Sequence, residues 1–242
     1  MKKKRKIIDW CTKRRVLTML LLIISAAALV AAPIIAAASG AGITYAEAFP
    51  DANFRAAVLD LLNTDGAGRT GDSPITDADK AVMAARPWID ISWSNISDLA
   101  GIEYFSGITQ LNCYNNQLTS FDLSKNTALQ FLFCYNNQLI ELDVSNNTAV
   151  RSLRCYGNQL SKLDVSKNFA LRSLMCYNNQ LTKLDISNNA ELEYLSCYSN
   201  QLTELDVSNN TALQTLICYD NKLNALDVSN NIDLNPSFER NT

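Results

Sequence analysis

Six of the seven cysteines in this 242-residue chain stand at 113, 134, 155, 176, 197 and 218, always 21 residues apart. One unit reads Leu129-x-x-Leu132-x-Cys134-x-x-Asn137-x-Leu139-x-x-Leu142-Asp143-Val144-Ser145-x-Asn147, and the others follow it closely. A fixed period of this kind marks a solenoid, in which stacking of units builds one continuous core. Twenty-one residues leave no room for an ordinary helix beside the strands. Two short strands and two turns use them up, so successive units should stack as parallel strands about 4.8 Å apart. The Leu-x-Cys positions are expected to form one sheet and the Leu-Asp-Val positions a second, back to back, with little helix in the repeats.

The rest of the chain divides around this solenoid, which spans 88–234. Residues 1–46 read as a signal peptide or N-terminal membrane anchor. Eight of the first fifteen residues are Lys or Arg, and residues 16–38 carry no charge. A basic region, an apolar run and a small-residue exit form a secretory signal. Ala36 with Ala38, Ala46 with Ala48, and Thr44 with Ala46 are candidate exits. The competing reading is an uncleaved anchor, since about 20 apolar residues span a bilayer; Pro33 and the small residues beyond it argue for cleavage. Either way the remainder is exported. Residues 47–87 read as a small helical cap, with one helix at 51–62 and a second at 76–85 that starts on Thr76 and is stopped by Pro87. The loop between them has the outline of a calcium loop. Its ligand pattern fails, because Ala67 and Pro74 stand where oxygen ligands are needed. Residues 235–242 are a tail with no sorting signal or second apolar span.

The pattern L-x-x-L-x-C-x-x-N-x-L resembles the leucine-rich repeat. Leu139-x-x-Leu142-x-Val144-x-x-Asn147 restates Leu129-x-x-Leu132-x-Cys134-x-x-Asn137, so each unit holds the pattern twice, which is similar to the nested (IRREKO-type) bacterial subclass. Upstream, residues 89–108 fit within one 22-residue unit with Ile96, Leu99, Ile102 and Phe105 inward. With the cap, residues 48–234 resemble bacterial internalin-like surface proteins. The resemblance implies a leucine-rich-repeat β-solenoid behind a small N-terminal helical cap. It does not name a ligand.

Composition removes several chemistries. The chain has no histidine, which excludes a Ser-His-Asp triad, a Cys-His dyad and His-ligated zinc or haem. Beyond residue 15 there are 13 basic and 23 acidic residues, a net of −10, which argues against nucleic acid as a partner. No cofactor or metal site is expected. The row Asn116, Asn137, Asn158, Asn179, Asn200 and Asn221 should point inward and satisfy turn backbone groups. The row Cys113, Cys134, Cys155, Cys176, Cys197 and Cys218 has three readings: disulfides, a metal ladder, or small buried hydrophobes. In-register stacking holds the Cβ atoms too far apart for easy disulfides, and a tetrahedral site lacks converging loops. The buried-hydrophobe reading is preferred.

Function is therefore sought on the outward positions. Tyr114, Tyr135, Tyr156, Tyr177, Tyr198 and Tyr219 follow the cysteines. Stacking along the sheet is one reason for such a row. Beside it the outward residues vary, and Phe131, Phe133, Arg154, Met175, Tyr194 and Ile217 join the tyrosines as candidate ligand-binding residues, because contiguous exposed apolar groups mark interaction surfaces. The expected function is an exported module binding a protein partner or adhering through this face. A carbohydrate-binding or envelope-associated role is the alternative. A glycan hydrolase using the row Asp122, Asp143, Asp164, Asp185, Asp206 and Asp227 is remote, since nothing differentiates an acid from a base.

Overall fold

The structure, a computed structural model, describes residues 42–235. The candidate signal at 16–38 and residues 236–242 lie outside the described residues. Seven three-residue strands run parallel in one sheet, in chain order: β1 (Trp88–Asp90), β2 (Gln110–Asn112), β3 (Phe131–Phe133), β4 (Ser152–Arg154), β5 (Ser173–Met175), β6 (Tyr194–Ser196) and β7 (Thr215–Ile217). Each strand pairs with the next in strict register, as in Leu132↔Leu153↔Leu174. Backbone pairing continues past the strands, with Cys134 N–H donating to Arg154 O at 2.9 Å and Asn136 N–H to Tyr156 O at 2.9 Å. The alternation of strand residues sends Leu153 and Cys155 inward, where they meet Val150, Leu160, Leu163 and Val165 of the same coil, all buried. The coils repeat this set, so the core is a continuous column along the solenoid.

The opposite side of each coil differs from the expectation of a second sheet. Among the described residues there is one sheet, and residues 142–145 and their equivalents form no ladder. Local bonds take the backbone groups that a ladder would use. Asp143 Oδ1 accepts from Ser145 N–H at 2.8 Å, and Val144 O accepts from Asn147 N–H at 3.0 Å. Successive coils are joined here by side chains instead. Asn168 Nδ2 donates to Val144 O and Asn147 O of the preceding coil, at 3.1 and 2.9 Å. Short polar side chains competing with the ladder for main-chain partners is the expected behaviour of Asp, Asn and Ser.

The cap is built from three short helices. α1 (Tyr45–Ala48) and α3 (Asp77–Ala84) each start with a reciprocal capping box, Thr44 with Glu47 and Thr76 with Asp79. α2 (Ala52–Leu62) starts on Asp51, whose Oδ1 accepts from the N–H groups of Asn53 and Phe54. α2 and α3 fall where the sequence places them. α1 crosses the expected boundary at 46, and Tyr45 is fully buried. The candidate exits ending at Ala46 and Ala48 thus lie inside a folded helix. Asn63 and Asp65 of the would-be calcium loop are engaged: Asn63 brackets the Arg69 backbone, and Asp65 pairs with Arg69 at 2.8 Å. The cap seats on the first coil through Phe49, whose ring lies 5.6 Å from that of Tyr104. That seat requires Gly101, because a Cβ there would run into the Phe49 ring. Among the described residues no helix is long and apolar enough to cross a membrane.

Candidate functional site

The outward face of the sheet carries the sequence-selected residues in three columns. The first runs Trp88, Gln110, Phe131, Ser152, Ser173, Tyr194 and Thr215. The second runs Asp90, Asn112, Phe133, Arg154, Met175, Ser196 and Ile217. The tyrosines form the third.

The tyrosine column is one continuous stack. Ring centroids from Tyr114 to Tyr219 are 4.4, 4.4, 4.2, 4.3 and 4.5 Å apart, with interplanar angles from 7° to 16°. The rings are half-buried. Burial, reinforced by neighbouring phenols, holds Tyr135 well above the ordinary phenol range and pushes Tyr156 up to about 12. Stacking has a geometric consequence. Each inner ring spends both faces on its neighbours, so the column offers ring edges and hydroxyls rather than open faces.

Beneath the face, Asn137 Nδ2 donates to Cys113 O at 3.0 Å and Cys134 O at 3.1 Å, while its Oδ1 accepts from Leu118 N–H at 3.0 Å. Asn116, Asn158, Asn179, Asn200 and Asn221 repeat the arrangement. Each amide thereby clips two coils together. The six cysteines are free and buried, and burial raises every thiol, Cys155 and its inner neighbours well above the usual range.

Three features escaped the sequence reading. The first is a second amide row, Asn126, Asn147, Asn168, Asn189, Asn210 and Asn231, on the far side of the core; its signal was the nested half-repeat. Each of its Oδ1 atoms is buried without a hydrogen-bond partner. The second is Trp88, 58% exposed at the start of the first column, and the third is Trp93, 74% exposed. Aligning the 22-residue unit with its neighbours finds both. Trp93 occupies the left-handed turn position that Asn115, Asn136, Gly157, Asn178, Ser199 and Asp220 hold in later coils, at φ 57°. A bulky residue there is strained by about 1–3 kcal/mol. At Gly157 the demand is doubled, since a Cβ would also strike Asn136 Oδ1.

Arg154 is set apart by its contacts. Its Cζ lies 4.6 Å from the Phe133 ring centroid, and its Nε is buried with no partner. On the opposite side, the aspartates are committed to turns. Asp164, Asp185 and Asp206 each accept from the serine two residues on, and those bonds lower all three carboxyls. A glycosidase needs one carboxyl raised to act as the acid; among these none is.

No family model matches the chain. Over 92 residues it is 40% identical to internalin J of Listeria monocytogenes serotype 4b (strain F2365), a match that covers 37% of this chain and 9% of that protein. The chain thus spans under a tenth of that curated relative. Internalin C2 from L. monocytogenes strain 4b F2365 superposes with a TM-score of 0.68 at 22% identity, covering 81% of this chain and 86% of that one. The leucine-rich-repeat ectodomain of the receptor kinase GASSHO1/SCHENGEN3 from Arabidopsis thaliana, in complex with Casparian strip integrity factor 2, gives 0.51 at 24% identity, over 55% and 18%. The chain thus has the leucine-rich-repeat fold, and over 92 residues its sequence is similar to internalin J.

Proposed function

We propose that this chain is an exported binding module that holds a protein partner against the outward face of its seven-stranded sheet. The observation that carries the reading is a contrast within one face. The inward residues, the asparagines and the tyrosine stack repeat coil after coil, while the first two columns vary. Where Ser152, Ser173 and Ser196 are small and polar, Phe131, Phe133, Met175 and Ile217 are large and apolar. The scaffold does not need those groups, and apolar groups concentrated on one face mark interaction surfaces. Export follows from the basic and apolar N-terminal pattern, with the exit assigned to Ala36–Ala38, upstream of the folded cap.

The carbohydrate alternative asks the tyrosines to offer ring faces to sugars. The stack leaves such faces only at its two ends, which favours a protein partner. The test is retention of prey by the purified chain, with protein extracts and isolated glycans offered separately. A Phe131→Ser/Met175→Ser/Ile217→Ser variant takes the residue type that neighbouring coils already carry. Loss of a retained protein on that variant, with circular dichroism unchanged, supports the reading. Equal retention by both, or retention of glycan alone, contradicts it.

A further inference from the structure

We propose that Arg154 is a carboxylate-recognition point, and that the occupant of the sheet face is an extended polypeptide segment bearing an Asp or Glu between apolar residues. This deepens the partner-binding reading above and rests on it. Arg154 is the one charged residue among the outward positions of β2 to β7. Strand register sets it between Phe133 and Met175. The planar guanidinium lies over the Phe133 ring, and the buried Nε has no partner.

Other arginines in the fold are used internally. Arg69 pairs with Asp65 and Asp79, and Arg172 with Glu191 and Glu193. Arg55 and Arg86 donate to main-chain carbonyls. Among the described residues Arg154 pairs with no carboxylate and donates no side-chain hydrogen bond; Arg151, which also lacks both, is solvent-exposed ahead of its strand. A guanidinium held over an aromatic ring, with no side-chain partner of its own, keeps its Nη donors for a planar, bidentate acceptor. Partial burial strengthens that pairing over its value in water. One cation suits the single charge of a carboxylate, whereas a phosphate calls for an arginine cluster.

Phe131 and Phe133 on one side and Met175 and Ile217 on the other would receive the flanking apolar side chains. The seven strands span about 29 Å at roughly 4.8 Å per step, which an extended segment of about nine residues crosses.

The test pans the full chain against a displayed library of random 12-residue peptides and measures enriched sequences as synthetic peptides. The expected sequences carry Asp or Glu flanked by apolar residues. Arg154→Gln should weaken them at least tenfold, and replacing the acid by its amide should weaken wild-type binding equally while leaving Arg154→Gln binding unchanged. Peptides without an acid, or acid and amide versions that bind alike, overturn the inference, as does a library that yields no binder. The triple serine variant separates the two readings. Peptides weakened by it but indifferent to Arg154→Gln overturn the carboxylate and leave the face standing; peptides indifferent to both overturn the face as well.

Discussion

Asp51 Oδ2 accepts from both the backbone N–H and the hydroxyl of Ser97 at 2.8 Å, while Oδ1 of the same carboxylate caps α2. One side chain thus begins a cap helix and ties the cap to the first coil. Asp51→Ala should remove a helix cap, about 1 kcal/mol, and cut the tie to Ser97, about 0.5–1 kcal/mol more because water reaches the exposed Ser97 donors. Thermal unfolding by circular dichroism measures the loss. Burial alone would raise this carboxyl, but the bonds from Ser97 and Phe54 outweigh it and lower it. The folded state therefore gains stability above the ordinary carboxylate range and loses it as pH falls through the lowered value. The acid limb of the stability curve should be shallower in Asp51→Asn.

The two asparagine rows should not be equal. Asn158 donates to Cys134 O and Cys155 O and accepts from Leu139 N–H. Asn168 donates to Val144 O and Asn147 O, with its Oδ1 unpaired. Truncation to Ala strands three backbone groups at 158, whereas at 168 Val144 O and Asn147 O keep bonds from the N–H groups of Asn147 and Val150. With each stranded group worth about 1 kcal/mol or more, Asn158→Ala should be the more destabilising by about 2–3 kcal/mol. Urea denaturation of the two variants gives the comparison.

Tyr156 should ionise late. Its burial in the stack, with Tyr177 beside it, pushes it up to about 12. A phenol raised by folding favours the folded state below the unfolded value near 10, and that advantage disappears as pH rises towards 12. Absorbance at 295 nm should show the phenolate component missing from Tyr156→Phe appearing about two pH units above that of a free tyrosine. A component near pH 10 would mean the stack opens in solution.

Trp93 stores strain on the exposed end of the face. Trp93→Asn supplies the residue type that tolerates the left-handed turn in Asn115, Asn136 and Asn178. It should stabilise the fold by about 1 kcal/mol, raising Tm by about 2–4 °C. If partner retention falls in the same variant, the strain is maintained for binding.

The sequence was most legible where its period was strictest. The cysteine interval predicted parallel stacking, and the alternation around Cys134 and Cys155 placed those thiols inward and their tyrosines outward. The second sheet was the misreading. Leu142-Asp143-Val144 has strand-like alternation, yet Asp143 and Asn147 bind the local backbone first, and that competition is invisible to an apolar pattern. Trp88 and Trp93 were missed because their coil has 22 residues and lacks the cysteine that marks the others. α1 was missed because its four residues look like the exit of a signal sequence; only Tyr45, an aromatic residue out of place in such an exit, hinted at a core. The apolar column positions were readable as exposed, but the solitude of Arg154 depends on where every carboxylate lies, which needs coordinates.

The central claim is that a protein partner lies on the sheet face. The most direct measurement places a photo-crosslinking phenylalanine analogue at position 133 in one variant and at exposed Ile140, outside the strands, in another. Each is irradiated against partner-cell surface proteins. The account predicts a discrete crosslinked protein from position 133 and none from 140. Crosslinks of equal yield from both positions, or from 140 alone, would contradict it.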